Sequence, residues 1–180
     1  MRLVVLAMAL VGVVACNRVD PPPATADAGA TPAAEEKPNA LVELTAEQVS
    51  ATPVLSAACN LEAIGGNVVQ DMNPIVISGR TFEVSGWIVD DEAKQPPGRF
   101  ELRAYSTSGD GRIWQTTVSP SIGRPDVQAA RGGASSLLNS GFSARVDAAG
   151  LPVGRYNLRL AFRAGNKETV CDNGRAVVLE

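Results

Sequence analysis

The 180-residue chain has no histidine, only 4% aromatic residues, and three cysteines. Without histidine there is no Ser-His-Asp or Cys-His nucleophile, no imidazole acid–base chemistry near neutral pH, and no His-containing metal site. No CxxC pair is present, which removes the usual thiolate route to zinc or redox chemistry. From Asn67 onward no segment shows an apolar stripe at helical spacing over ten or more residues. What remains is long enough for one domain of roughly 100 to 200 residues with additional segments.

The N-terminus carries the first positive signal. Arg2 precedes an apolar run from Leu3 to Ala15. A bilayer-spanning helix needs about 20 apolar residues and a secretory core about 7 to 15, so the run reads as an export signal. It ends in Val13-Val14-Ala15-Cys16, which resembles the lipobox of bacterial lipoproteins. That resemblance implies cleavage after Ala15, diacylglycerol on the Cys16 sulfur and acylation of the new terminus. Residues 1–15 are then a lipoprotein signal peptide, and Cys16 is the lipidation site and the membrane contact. Asn17, where inner-membrane lipoproteins of the enterobacterial type carry aspartate, implies an outer-membrane anchor facing the periplasm.

With Cys16 acylated, Cys59 and Cys171 remain, and exported proteins live where disulfides persist. A bridge between them would close about 112 residues and stabilise by roughly 4 to 5 kcal/mol on the chain-entropy model. Residues 16–40 are rich in Pro, Ala and acids and nearly devoid of large apolar side chains, the composition of a disordered tether. Residues 41–53 are ambiguous: Leu41 to Leu44 fits a strand, while Thr45 with Glu47-Gln48 fits a short helix limited by Pro53. The compact domain is expected over 54–180.

Within it, short turn-bounded segments dominate. Phe82, Val84, Gly86 and Ile88 alternate with Thr81, Glu83, Ser85 and Trp87. Arg99–Ser106 and Arg112–Val118 flank the tight-turn signal Asp110-Gly111. Pro125 to Ala130 fits one helical turn with Pro125 first and Asp126 near its N-terminus. Gly141–Asp147 and Arg155–Arg163 alternate, and Glu168–Cys171 and Arg175–Leu179 are expected as two strands about an Asp172-Asn173-Gly174 turn. About eight short strands without crossover helices predict an all-β fold, a two-sheet antiparallel sandwich, immunoglobulin-like in the broad sense. The runs Gly86-Trp87-Ile88-Val89-Asp90, Arg124-Pro125-Asp126-Val127, Ser140-Gly141-Phe142 and Leu151-Pro152-Val153-Gly154-Arg155-Tyr156 resemble small β-sandwich modules of bacterial envelope and surface-polysaccharide proteins. The resemblance implies fold and setting, with no catalytic residues to carry over.

Charge is uneven behind a net of −3. The arginines at 99, 103, 112, 124, 131, 145, 155, 159 and 163 either form a basic face or simply occupy outward strand positions. If the hairpin closes on Asp110-Gly111, then Arg103, Tyr105, Arg112 and Trp114 share a face, and aromatics interleaved with arginine can stack on sugar rings. A one-residue slip sends Trp114 to the core instead. Asp90-Asp91-Glu92 groups carboxylates without the loop spacing of a dedicated calcium site, so no metal and no cofactor is expected. The reading is a non-catalytic, lipid-anchored module that binds or scaffolds in the envelope, with a glycan or an envelope protein as partner and no nucleic acid. The rival readings are a carbohydrate-binding accessory module for polysaccharide or peptidoglycan and a small hydrolase built on paired carboxylates.

Overall fold

Alternation along each strand decides which side meets the core. In β7 (Thr81–Ile88), Phe82, Val84, Gly86 and Ile88 are buried, while Thr81 and Glu83 stay exposed. The computed structural model describes residues 37–49 and 52–180. The expected signal peptide, the lipobox with Cys16, and most of the tether lie outside these residues. In chain order the remaining strands are β1 (Asn39–Ala40), β2 (Val42–Glu43), β3 (Val54–Ser56), β4 (Cys59–Ile64), β5 (Asn67–Val68) and β6 (Ile75–Ile77), all before β7. After it come β8 (Phe100–Ser106), β9 (Ile113–Val118), helix α1 (Pro125–Ala130), β10 (Gly141–Asp147), β11 (Gly154–Ala164) and β12 (Lys167–Leu179).

Two sheets pack face to face as an all-β sandwich. One runs β1-β10-β7-β4-β5, and the other β2-β9-β8-β11-β12-β3 with β6 also on β12. The long strands pair antiparallel as expected, but β1 on β10 and both β3 and β6 on β12 are parallel, so both sheets are mixed. The reason lies at the sandwich edges, where the chain changes sheets. β1 joins the first sheet and β2 the second, with buried Leu41 between them. On the opposite edge, β3 lies in the second sheet, β4 and β5 in the first, and β6 in the second again. Such short connections deliver strands in whichever direction the edge allows.

The sandwich therefore takes in residues upstream of the expected start at 54. The three-residue apolar run Ala40-Leu41-Val42 is too short to show a period, but the burial of Leu41 fixes a strand on each side. The ambiguity of residues 41–53 resolves into both alternatives. β2 is a strand, and Ala46–Gln48 form a 3₁₀ turn in which Gln48 Oε1 accepts the Thr45 N–H at 2.9 Å.

The core is contributed by both sheets. Leu61, Ile64, Val84 and Phe142 from the first meet Phe100, Leu102, Leu158 and Leu160 from the second. The Phe100 and Phe142 rings sit 4.7 Å apart across the interface. Each fully buried side chain of this size contributes about 1.5–3 kcal/mol relative to exposure. The Cys59–Cys171 disulfide joins β4 to β12, and so ties the two sheets together within this core. Tyr156 at the start of β11 donates its hydroxyl to the Pro152 carbonyl at 2.7 Å, a bond of the tyrosine-corner kind that pins the 151–155 turn.

Two irregularities shape the outer faces. β4 bulges at Glu62 between Leu61 and Ala63, and there a methyl group on Gly86 would overlap the Asn60 carbonyl, so only glycine fits. β12 is one strand, not two. The Asp172-Asn173-Gly174 signal is spent on a bulge opposite Leu158–Leu160, where Gly174 takes φ +70° and donates its N–H to Asp172 Oδ1. The residues have the chemistry of a turn, but cross-strand pairing on both sides carries the strand through them.

Candidate functional site

The outward face of the seven-stranded sheet holds a cluster of charged side chains. Register places Arg103 of β8 opposite Arg159 of β11, and Glu101 opposite Ala161. Arg163 of β11 stands opposite Glu168 of β12. Arg103 reaches across β11 and donates from Nη1 and Nη2 to Glu168 Oε1 and Oε2 at 2.9 and 3.1 Å. Both side chains are almost fully buried, at 4% and 3% exposure. The small side chain between them permits this, because Ala161, itself wholly buried, leaves room for the ion pair to lie over β11. Gln115 on β9 accepts from Arg103 Nε at 3.3 Å, and Arg163 adds a third donor to Glu168 at 3.3 Å.

The guanidinium of Arg103 holds the Glu168 carboxyl below the usual carboxylate value. Its neighbour Glu101 is driven the other way, since burial raises its pKa and its Oε2 is buried without a hydrogen-bond partner. Two carboxylates on one sheet face are thus pushed apart by their surroundings. Arg159 pairs with Asp172 at 2.7 Å, and its guanidinium lies 4.5 Å over the Tyr105 ring.

The four residues expected to share a platform do not. Arg103 and Tyr105 point outward, but Trp114 pairs with Ala104, faces the core and is buried. There it meets Tyr156 edge-on with ring centroids 5.6 Å apart. Arg112 sits beside this pair at the strand end, 4.6 Å over the Trp114 ring, and donates to both Glu43 carboxylate oxygens at 2.8 and 2.7 Å. The slip that separates Trp114 from Arg103 follows from parity: odd positions of β8 face outward with odd positions of β9. The basic face does not assemble either. Arg103, Arg112, Arg159 and Arg163 lie on or beside the seven-stranded sheet while Arg124 and Arg131 flank α1, and each lies against a carboxylate.

No family model, curated protein or solved structure matches the chain. The site is therefore described by its own chemistry.

A second polar centre assembles at one corner of the five-stranded sheet. Three of the four motif runs meet there. Trp87 pairs with Gly141, and Val127 packs with Val89 and Leu137 in a small satellite core against which Trp87 rests. Arg124, just before α1, binds two carboxylates in bidentate fashion: Glu62 at 2.8 and 3.0 Å, and Asp126 at 2.9 and 2.6 Å. The hydrogen bonds from Arg124 hold Asp126 down at about pKa 2. The bulge at Glu62 turns that side chain toward the loop, so an irregularity in the sheet positions the clamp. Arg131 closes the same segment, 5.0 Å over Trp87 and 3.0 Å from Asp91.

The acidic run at 90–92 has other employment. Asp90 Oδ1 accepts the N–H groups of Glu92 and Ala93, and Asp91 pairs with Arg131. Sequence reasoning missed Glu168, Glu101, Glu62 and Asp172. Glu101 and Glu168 are single acids on strands and Glu62 and Asp172 sit at bulges, and only the strand order shows which arginine each one faces.

Proposed function

We propose that the protein is a lipid-anchored, non-catalytic binding or scaffolding module of the bacterial cell envelope, held by Cys16 in the outer membrane on its periplasmic side. The observation that carries this reading is the division of the cysteines. Cys16 closes an export signal of lipobox form, while Cys59 and Cys171 bond each other between the sheets. A core disulfide suits a chain that matures outside the cytoplasm. An anchored domain gains local concentration at the membrane, and the 16–40 segment sets its reach.

Binding is favoured over catalysis by the missing imidazole and by the pairing of Glu168, Glu62 and Asp172 with arginine, which leaves these acids occupied in structure. The glycan platform built on Trp114 has lost its aromatic residue to the core. Membrane fractionation of Cys16→Ser tests the anchor. The wild type is expected in detergent-soluble membrane fractions with acyl chains that label metabolically, and the variant is expected without label; a variant that still carries lipid overturns the reading.

A further inference from the structure

At the end of the sandwich formed by the 90–98 loop and the β11–β12 turn lies a groove of about 560 Å³. Its surface includes the apolar Ala93, Pro97, Phe162 and Ala164, and two arginines stand on it, Arg99 and Arg163. The β8–β11 ladder ends at Glu101 opposite Ala161, and these arginines are the next outward positions on the two strands' extensions. Neighbouring strands that carry like charges repel unless each charge meets an acid.

Elsewhere on this face that condition is met, by Glu168 for Arg103 and Asp172 for Arg159. At the groove it is met only in part. Arg163 reaches only Glu168 Oε2, at 3.3 Å, and that oxygen already accepts from Arg103 at 3.1 Å. Among the described residues no carboxylate lies within ion-pair range of Arg99, which is exposed. The groove's own acid, Asp90, is engaged with backbone N–H groups of its loop.

We propose that this groove binds an oxyanion carried on a sugar ring, a carboxylate or phosphate gripped between Arg99 and Arg163 with the ring laid on the apolar floor. Guanidinium forks match planar or tetrahedral oxyanions through paired N–H donors. The volume falls within the roughly 300–1,000 Å³ of small-molecule sites. The proposal rests on the binding-module reading and names its ligand class, but it does not depend on Cys16.

Calorimetric titration of the exported protein in detergent with oligogalacturonate, its neutral galactan counterpart and inorganic phosphate tests it. Oligogalacturonate is expected to bind, and Arg99→Gln and Arg163→Gln are each expected to weaken it at least tenfold. Arg155→Gln, which removes an exposed charge at the other end of β11, should leave it unchanged. Phosphate that binds with the same variant pattern identifies the bare oxyanion as sufficient; phosphate that fails while oligogalacturonate binds shows that the ring is also required. Equal binding of the neutral glycan, wild-type affinity in Arg99→Gln, or no binding of either anion overturns the proposal, and the fractionation of Cys16→Ser would be untouched by that failure.

Discussion

Arg103 and Glu168 show why residue identity and burial must be weighed together. Taking both charges out of water is costly, and their mutual attraction repays this only because both oxygens and two guanidinium nitrogens are matched. Arg103→Met alone leaves Glu168 buried with only the edge contact from Arg163, so it should cost about 3–5 kcal/mol in urea unfolding. Arg103→Met with Glu168→Leu should recover most of that loss; equal destabilisation of single and double variants would contradict the account. Glu101 has the opposite sign. Its folded pKa is raised above the ordinary 4.5, so the folded state holds a proton that the unfolded state releases. Stability contributed by this group therefore falls as pH rises from 4.5 through the folded value. Glu101→Gln should raise the melting temperature at pH 7 and lose that advantage below pH 4. An advantage independent of pH would rule out the carboxylate as its cause.

Among the elements, the 119–140 segment depends most on side-chain chemistry. α1 has no side-chain cap on its N-terminus, and a single buried residue, Val127, roots it. Arg124 supplies the missing attachment by joining Glu62 of the β4 bulge to Asp126. Arg124→Gln is expected to loosen this segment and uncover Trp87, so Trp fluorescence should shift to the red and become quenchable by iodide while Trp114 remains protected in the core. An unchanged spectrum would show that the satellite core holds the segment without the clamp. The strands themselves were legible wherever alternation ran for six residues or more, as in β7, β10 and β11. α1 was legible from Pro125 and Asp126. The two-residue strand β1 was not, and β2 was legible only as one of two alternatives over Leu41 to Leu44, because two residues cannot show a period and both strands depend on the burial of Leu41 between two sheets. The β12 bulge was read as a turn because turn chemistry is local and strand pairing is not.

At the scale of the molecule, the two sheets are joined by a hydrophobic core, by edge segments that cross from one sheet to the other, and by one disulfide. The disulfide was legible from cysteine arithmetic. The candidate site was only half legible, because arginines announce themselves in sequence while the face each one occupies depends on register. Trp114 is the sharpest case, since one residue of parity moves it from a glycan platform to the core. The central claim joins this disulfide-bridged sandwich to a lipidated Cys16, and intact mass spectrometry of the protein purified from bacterial membranes without reductant tests both at once. The account predicts residues 16–180 with a diacylglycerol and an acyl chain added and two hydrogens missing for the Cys59–Cys171 bond. A mature terminus other than Cys16, or a Cys16 without lipid, would contradict it.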